Sequence, residues 1–76
     1  MKATKDLVIL LNVNDDFLFV GSKEEATAKI KERDTIDDIM LTFSKGDDID
    51  LFFLNKFSKE NQKEFNNSLK IYLNNN

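Results

Sequence analysis

The run Leu7-Val8-Ile9-Leu10-Leu11 constrains the fold more than any other stretch of this chain. Its aliphatic and β-branched residues suit a pleated strand over residues 6–13. Side chains of a strand alternate between two faces. Leu7, Ile9, Leu11 and Val13 therefore share one face, and Val8 and Leu10 share the other. A strand apolar on both faces belongs in the middle of a sheet and is covered twice. The chain has 76 residues to do this with. That allows one small domain, residues 1–73, with Asn74-Asn75-Asn76 expected as a disordered tail.

The rest of the chain supplies neighbours for that strand. Asn12-Val13-Asn14-Asp15-Asp16 reads as a turn, because Asn and Asp tolerate left-handed backbone and bond their own main chain. Phe17 to Val20 then form a second strand, completing a hairpin. Ser22 and Glu25 have the spacing of a capping box, which starts a helix running to Arg33. Glu24 and Glu25 near its start, and Lys29, Lys31 and Arg33 near its end, suit the helix dipole. Its apolar stripe is thin, mainly Ala26 and Ile30.

Residues 35–46 carry two patterns. Ile36, Ile39, Met40 and Phe43 follow helical spacing, with Thr35 and Asp38 as cap and Gly46 as stop. Ile39, Leu41 and Phe43 instead alternate as a strand, followed by the turn Ser44-Lys45-Gly46-Asp47. The strand pattern is preferred, since a Gly-containing turn and a further alternating run, Ile49, Leu51 and Phe53, come next. Residues 48–54 read as a strand either way. Ser58 caps a last helix to about Leu73. Phe65, Leu69, Tyr72 and Leu73 mark its buried side, and Ile71 points away.

The expected architecture is α+β, a two-layer sandwich. Its antiparallel sheet of three or four strands carries two helices on one face, in ββαββα order, with ββααβα as the alternative. The other face then presents Val8, Leu10, Leu18, Val20, Met40, Phe52 and Leu54. Seven apolar side chains are too many to leave wet, so a partner or a second copy is expected to cover them.

Composition removes several classes of function. His, Cys, Trp and Pro are absent. Disulfides, zinc fingers, imidazole metal sites and Cys–His or Ser–His nucleophile pairs are thereby excluded. Asn12, Asn14 and Asp16 match the opening of a calcium loop. Phe17 stands where that loop needs Gly, and Lys23 where it needs Glu. The two glycines stand apart, so no phosphate-cradling loop exists. No enzymatic activity, metal or cofactor is expected. Lys2 and Lys5 before the apolar run resemble a leader, but the run is short and Asp15-Asp16 occupy the cleavage region. No stretch approaches a membrane span. The expected location is the cytoplasm.

The net charge is −3, from 11 basic and 14 acidic side chains. It is unevenly placed. Residues 34–50 hold one Lys and six Asp, a local net of −5, while residues 51–76 are net basic. Such a segment is either a solvated loop and hairpin edge or an acidic surface for a basic partner. A single Arg, Arg33, against ten Lys counts against nucleic-acid readout.

The expected function is a non-catalytic protein-binding module, an inhibitor or adaptor of the size and composition of those encoded by phages and mobile elements. Its candidate partner-binding residues are Asp37, Asp38, Asp47, Asp48 and Asp50 in the acidic segment. Val8, Leu10, Leu18, Val20 and Phe52 are the candidates on the apolar sheet face, for a partner or for dimerisation. The alternatives are a homodimeric accessory protein and a weak nucleic-acid mimic. The latter is disfavoured because basic residues dilute the acids.

Overall fold

A computed structural model describes residues 1–75; the expectation for Asn76 lies outside them. The elements are β1 (Leu7–Asn12), β2 (Phe17–Gly21), α1 (Lys23–Arg33), β3 (Ile39–Phe43), a 3-10 turn (Phe52–Lys56) and α2 (Lys59–Asn74). The fold is α+β, with one antiparallel three-stranded sheet in the order β2-β1-β3. β1 occupies the middle, and every one of its residues is buried.

Both strands that flank β1 run antiparallel to it, so β2 and β3 run parallel to each other. The segment joining them has to pass over β1, and α1 makes that crossing. Its contacts are with β1 and β2. Ala26, fully buried, is the residue through which it approaches the sheet closely. Val8 (2% exposed) and Leu10 (0%) lie beneath this side. The opposite side joins Leu7, Ile9, Leu11 and Val20 to Phe65 and Leu69 of α2, and to Phe53, Leu54 and Phe57. Phe53 meets the rings of Phe57 and Phe65 edge to face, each with centroids 6.4 Å apart.

The uncovered apolar sheet face is therefore corrected. The residue pairing places Leu18 opposite Leu11 and Val20 opposite Ile9, on the α2 side, not with Val8 and Leu10. A one-residue offset in a strand exchanges its faces. Leu54 is buried in the 3-10 turn, Met40 is half-buried opposite Leu10, and Phe52 lies off the sheet, 71% exposed.

α1 has few apolar residues for its side of the sheet. Its long cationic side chains help instead. Arg33 stacks over Phe17, with the guanidinium carbon 3.8 Å from the ring centre, and the Lys29 ammonium lies 5.8 Å from that of Phe19. The negative face of each ring attracts the cation placed over it.

β3 bears out the alternating pattern of Ile39, Leu41 and Phe43. The turn after it also forms: the Asp47 N–H bonds the Ser44 carbonyl at 2.9 Å, and Gly46 has φ +94°. That φ suits the third position of a type II turn. The strand expected over 48–54 does not form. Residues 46–49 bond the chain's own beginning: the Ala3 N–H donates to Asp47, the Gly46 N–H to Ala3 and the Ile49 N–H to Met1. Asp50 then accepts from the Phe52 N–H and opens the 3-10 turn. Asp disfavours strand interiors and offers the backbone this alternative. Both expected element orders are corrected accordingly, to ββαβα with a 3-10 turn.

The Ser22–Glu25 capping box is formed in both directions. Ser58 caps α2 through the Asn61 N–H. α2 continues through Asn74, and the Asn75 N–H bonds the Ile71 carbonyl at 3.1 Å, so the disorder expected for Asn74 and Asn75 is corrected.

Burial on both sides of β1 gives a direct test. Leu10→Ala should cost about 3 kcal/mol in urea unfolding. Phe52→Ala should cost less than about 1 kcal/mol. A small loss at Leu10 would contradict the covering by α1.

Candidate functional site

The end of the sheet that carries the β1–β2 turn is organised by the single arginine. Arg33 is the last residue of α1, and Asp34 ends the helix in left-handed backbone, φ 50°, with its N–H bonded to the Ile30 carbonyl. The chain turns back at this point. Asp38 thereby reaches Arg33 and accepts from Nε and an Nη, each at 2.9 Å. The same Nη donates to Asp15 at 2.6 Å. Asn12, at the end of β1, donates its Nδ2 to Asp38 at 2.9 Å. Its Oδ1 accepts from the Asn14 N–H at 3.0 Å. Asn14 in turn donates to Asp37 at 3.2 Å.

This cluster ties four segments together: the end of β1, the hairpin turn, the end of α1 and the loop leading to β3. Asn12 and the Asp38 side chain are each only 2% exposed. No buried side-chain polar atom among the described residues lacks a partner. A buried carboxylate is tolerable only when paired and fully hydrogen-bonded. The side-on, two-point grip needs the planar fork of Arg, which a Lys cannot reproduce.

The Arg33 hydrogen bonds hold the Asp38 carboxyl below the ordinary carboxylate value, against the opposing effect of burial, with help from Asn12. The same pairing raises the Arg33 guanidinium. Asp16 is also lowered, by hydrogen bonds from Ser58 and Asn61 that pin the hairpin turn to the start of α2.

The acidic segment is not one surface. Asp37 and Asp38 precede β3, whereas Asp47, Asp48 and Asp50 follow it. The strand between them spans about 14 Å. Asp38 is consumed by Arg33, and exposed Asp37 accepts from Asn14. Asp47 accepts from the Ser44 N–H at 2.7 Å, and Asp50 accepts from the Phe52 N–H at 3.1 Å. Asp48 sits in a short bridge to Lys2. No group of carboxylates among the described residues is arranged to hold a metal ion.

The sheet face expected to bind a partner is likewise unavailable, since Val8, Leu10 and Val20 are buried and Leu18 is half-buried. Of the residues expected there, Phe52 alone is exposed, and it lies in the 3-10 turn; the other exposed large apolar side chains are Met1, Ile71 on α2, and a group of three. Val13, Ile36 and Ile39 sit at the clamped end of the sheet, with Ile36 97% exposed. Asn14 bonds Asp37 across the two loops, and Ile39 pairs with Leu11, so the three belong to one end of the molecule. Sequence patterning assigned Ile36 and Ile39 to a helix or strand core and missed this surface. The lone Arg among ten Lys was the one available signal that a planar, two-point partner was required.

Comparison with protein-family models, with curated proteins and with solved structures finds no match. No helix among the described residues is long and apolar enough to cross a membrane.

The clamp has measurable consequences. Asp38→Ala should cost about 3 kcal/mol, because it leaves the Arg33 charge and the Asn12 amide short of a partner in a mostly dry setting. Acid unfolding should show the same linkage. Asp38 and Asp16 are both shifted down from 3.8. Each therefore contributes stability that is present above that value and is lost as pH falls through its lower folded value. In Asp38→Ala, the acid-dependent loss measured by circular dichroism should be smaller than in the wild type.

Proposed function

We propose that this chain is a non-catalytic protein-binding module, an inhibitor or adaptor, that meets its partner at the clamped end of the sheet. The observation that carries this reading is Ile36. Its side chain is 97% exposed, yet it sits on a loop held at both ends, by the Asp34 helix cap and by the buried Asp38. Exposing a large aliphatic side chain forgoes the stabilisation that burial would give. Presenting it on an ordered loop lowers the entropy cost of binding. Val13 and Ile39 widen the apolar contact, and Asp37 borders it with negative charge. The fitting partner carries an apolar hollow with a basic rim. The absence of His and Cys from the sequence supports a role without nucleophilic catalysis.

Homodimerisation is the second reading. β3 is an edge strand, and Ile39 on it is half exposed, so a second copy has both backbone and apolar surface to meet.

Ile36→Asp should leave the unfolding free energy within about 0.5 kcal/mol of wild type. It should abolish recovery of a partner captured from lysate by the wild-type protein. Replacing Asp47, Asp48 and Asp50 by Asn should leave that recovery intact. Equal recovery with Ile36→Asp would remove this surface from consideration. Sedimentation equilibrium decides the dimer: a monomer at high concentration excludes it.

A further inference from the structure

A second surface runs along the other edge of the sheet. β2 pairs only with β1, so the backbone groups on its outer side have no strand partner. α2 runs beside it, and the two enclose a groove of about 370 Å³. One wall is the stretch Asp16 to Val20. The other is a single stripe of α2, namely Asn61, Glu64, Phe65 and Ser68, at helical spacings of three and four. Open cavities of this size accept peptide-like ligands.

The chemistry of the walls narrows the occupant. An open strand edge offers alternating N–H and C=O groups, which an extended backbone satisfies in register. The charged side chains that line the groove, Asp16 and Glu64, are both acidic. Asp16 is already hydrogen-bonded by Ser58. Glu64 is exposed and makes no ion pair among the described residues. Phe17, Leu18, Phe19, Val20 and Phe65 supply the apolar part of the lining.

We propose that this groove binds an extended segment of a partner protein, which adds to β2 as a fourth strand and places a basic side chain against Glu64. The groove starts beside the clamp, at Asp16 and Phe17, but Val13, Ile36 and Ile39 of the proposed partner surface line no part of it. The two surfaces can therefore fail independently.

The test uses the whole protein and a short labelled peptide alternating valine and lysine, long enough to span the about 14 Å of β2. Saturable binding is expected, with amide shift changes at Phe17 to Val20 and along residues 61–68. A valine–glutamate peptide should bind about tenfold more weakly or not at all. Glu64→Lys, at an exposed position, should keep the fold by circular dichroism and weaken the valine–lysine peptide about tenfold. The same peptide methylated on alternate backbone nitrogens, in either register, separates strand addition from charge attraction. One of the two registers should lose about tenfold in affinity. Ile36→Asp should leave peptide binding unchanged. The proposal is overturned if both methylated peptides bind as well as the parent, or if the glutamate peptide binds equally. It is also overturned if the shifts map to Ile36–Ile39 or Asp47–Asp50, or if free protein dimerises through β2.

Discussion

β1 has to be dry on two sides, and most of the architecture answers that requirement. Leu7, Ile9 and Leu11 face the aromatic cluster around Phe53 and the buried stripe of α2, while Val8 and Leu10 face α1. The described residues form two α-helices, one on each side of the sheet. The connection makes this possible. β2 and β3 flank β1 on opposite sides, so the helix that joins them must cross over the middle strand. α2 comes last and takes the remaining face. α1 is too polar to be a good lid, and its fit depends on a small residue, Ala26, and on the charged ends of Lys29 and Arg33 placed over the rings of Phe19 and Phe17.

Arg33 links this covering to the surface beyond it. It covers Phe17, ends α1 and grips Asp38 and Asp15 at once. The arrangement fixes the hairpin turn and the loop before β3 relative to each other. It also uses up carboxylates that net charge alone would assign to a partner. What remains exposed there is aliphatic, at Val13, Ile36 and Ile39, with Asp37 beside them. The open edge of β2 lies on the opposite side of the sheet from β3, and its groove is lined by a different set of residues.

Much of the local structure was legible in residue order. The Ser22–Glu25 and Ser58 caps, the Asp/Asn hairpin turn, the Gly46 turn and the buried side of α2 each depend on side chains within a few positions of one another. The alternation of Ile39, Leu41 and Phe43 also held. The same alternation at Ile49, Leu51 and Phe53 was misleading, because Asp50 between them bonds local backbone and because residues 1–3 take the neighbouring position. The candidate sites were less legible. The acids of residues 34–50 are adjacent in sequence, but β3 separates them and hydrogen bonds occupy Asp37, Asp38, Asp47 and Asp50.

The sequence by itself determined that β1 would be central, that both of its faces would be covered, and where each helix would begin. These follow from side-chain period and from short-range hydrogen bonding. Only the tertiary structure decided what covers each face. That depends on the pairing register of β2 against β1 and on the order of strands in the sheet, both of which are relations between residues distant in the chain. The same long-range relations bring Asn12, Asp15, Arg33 and Asp38 into one cluster and leave Ile36 outside it.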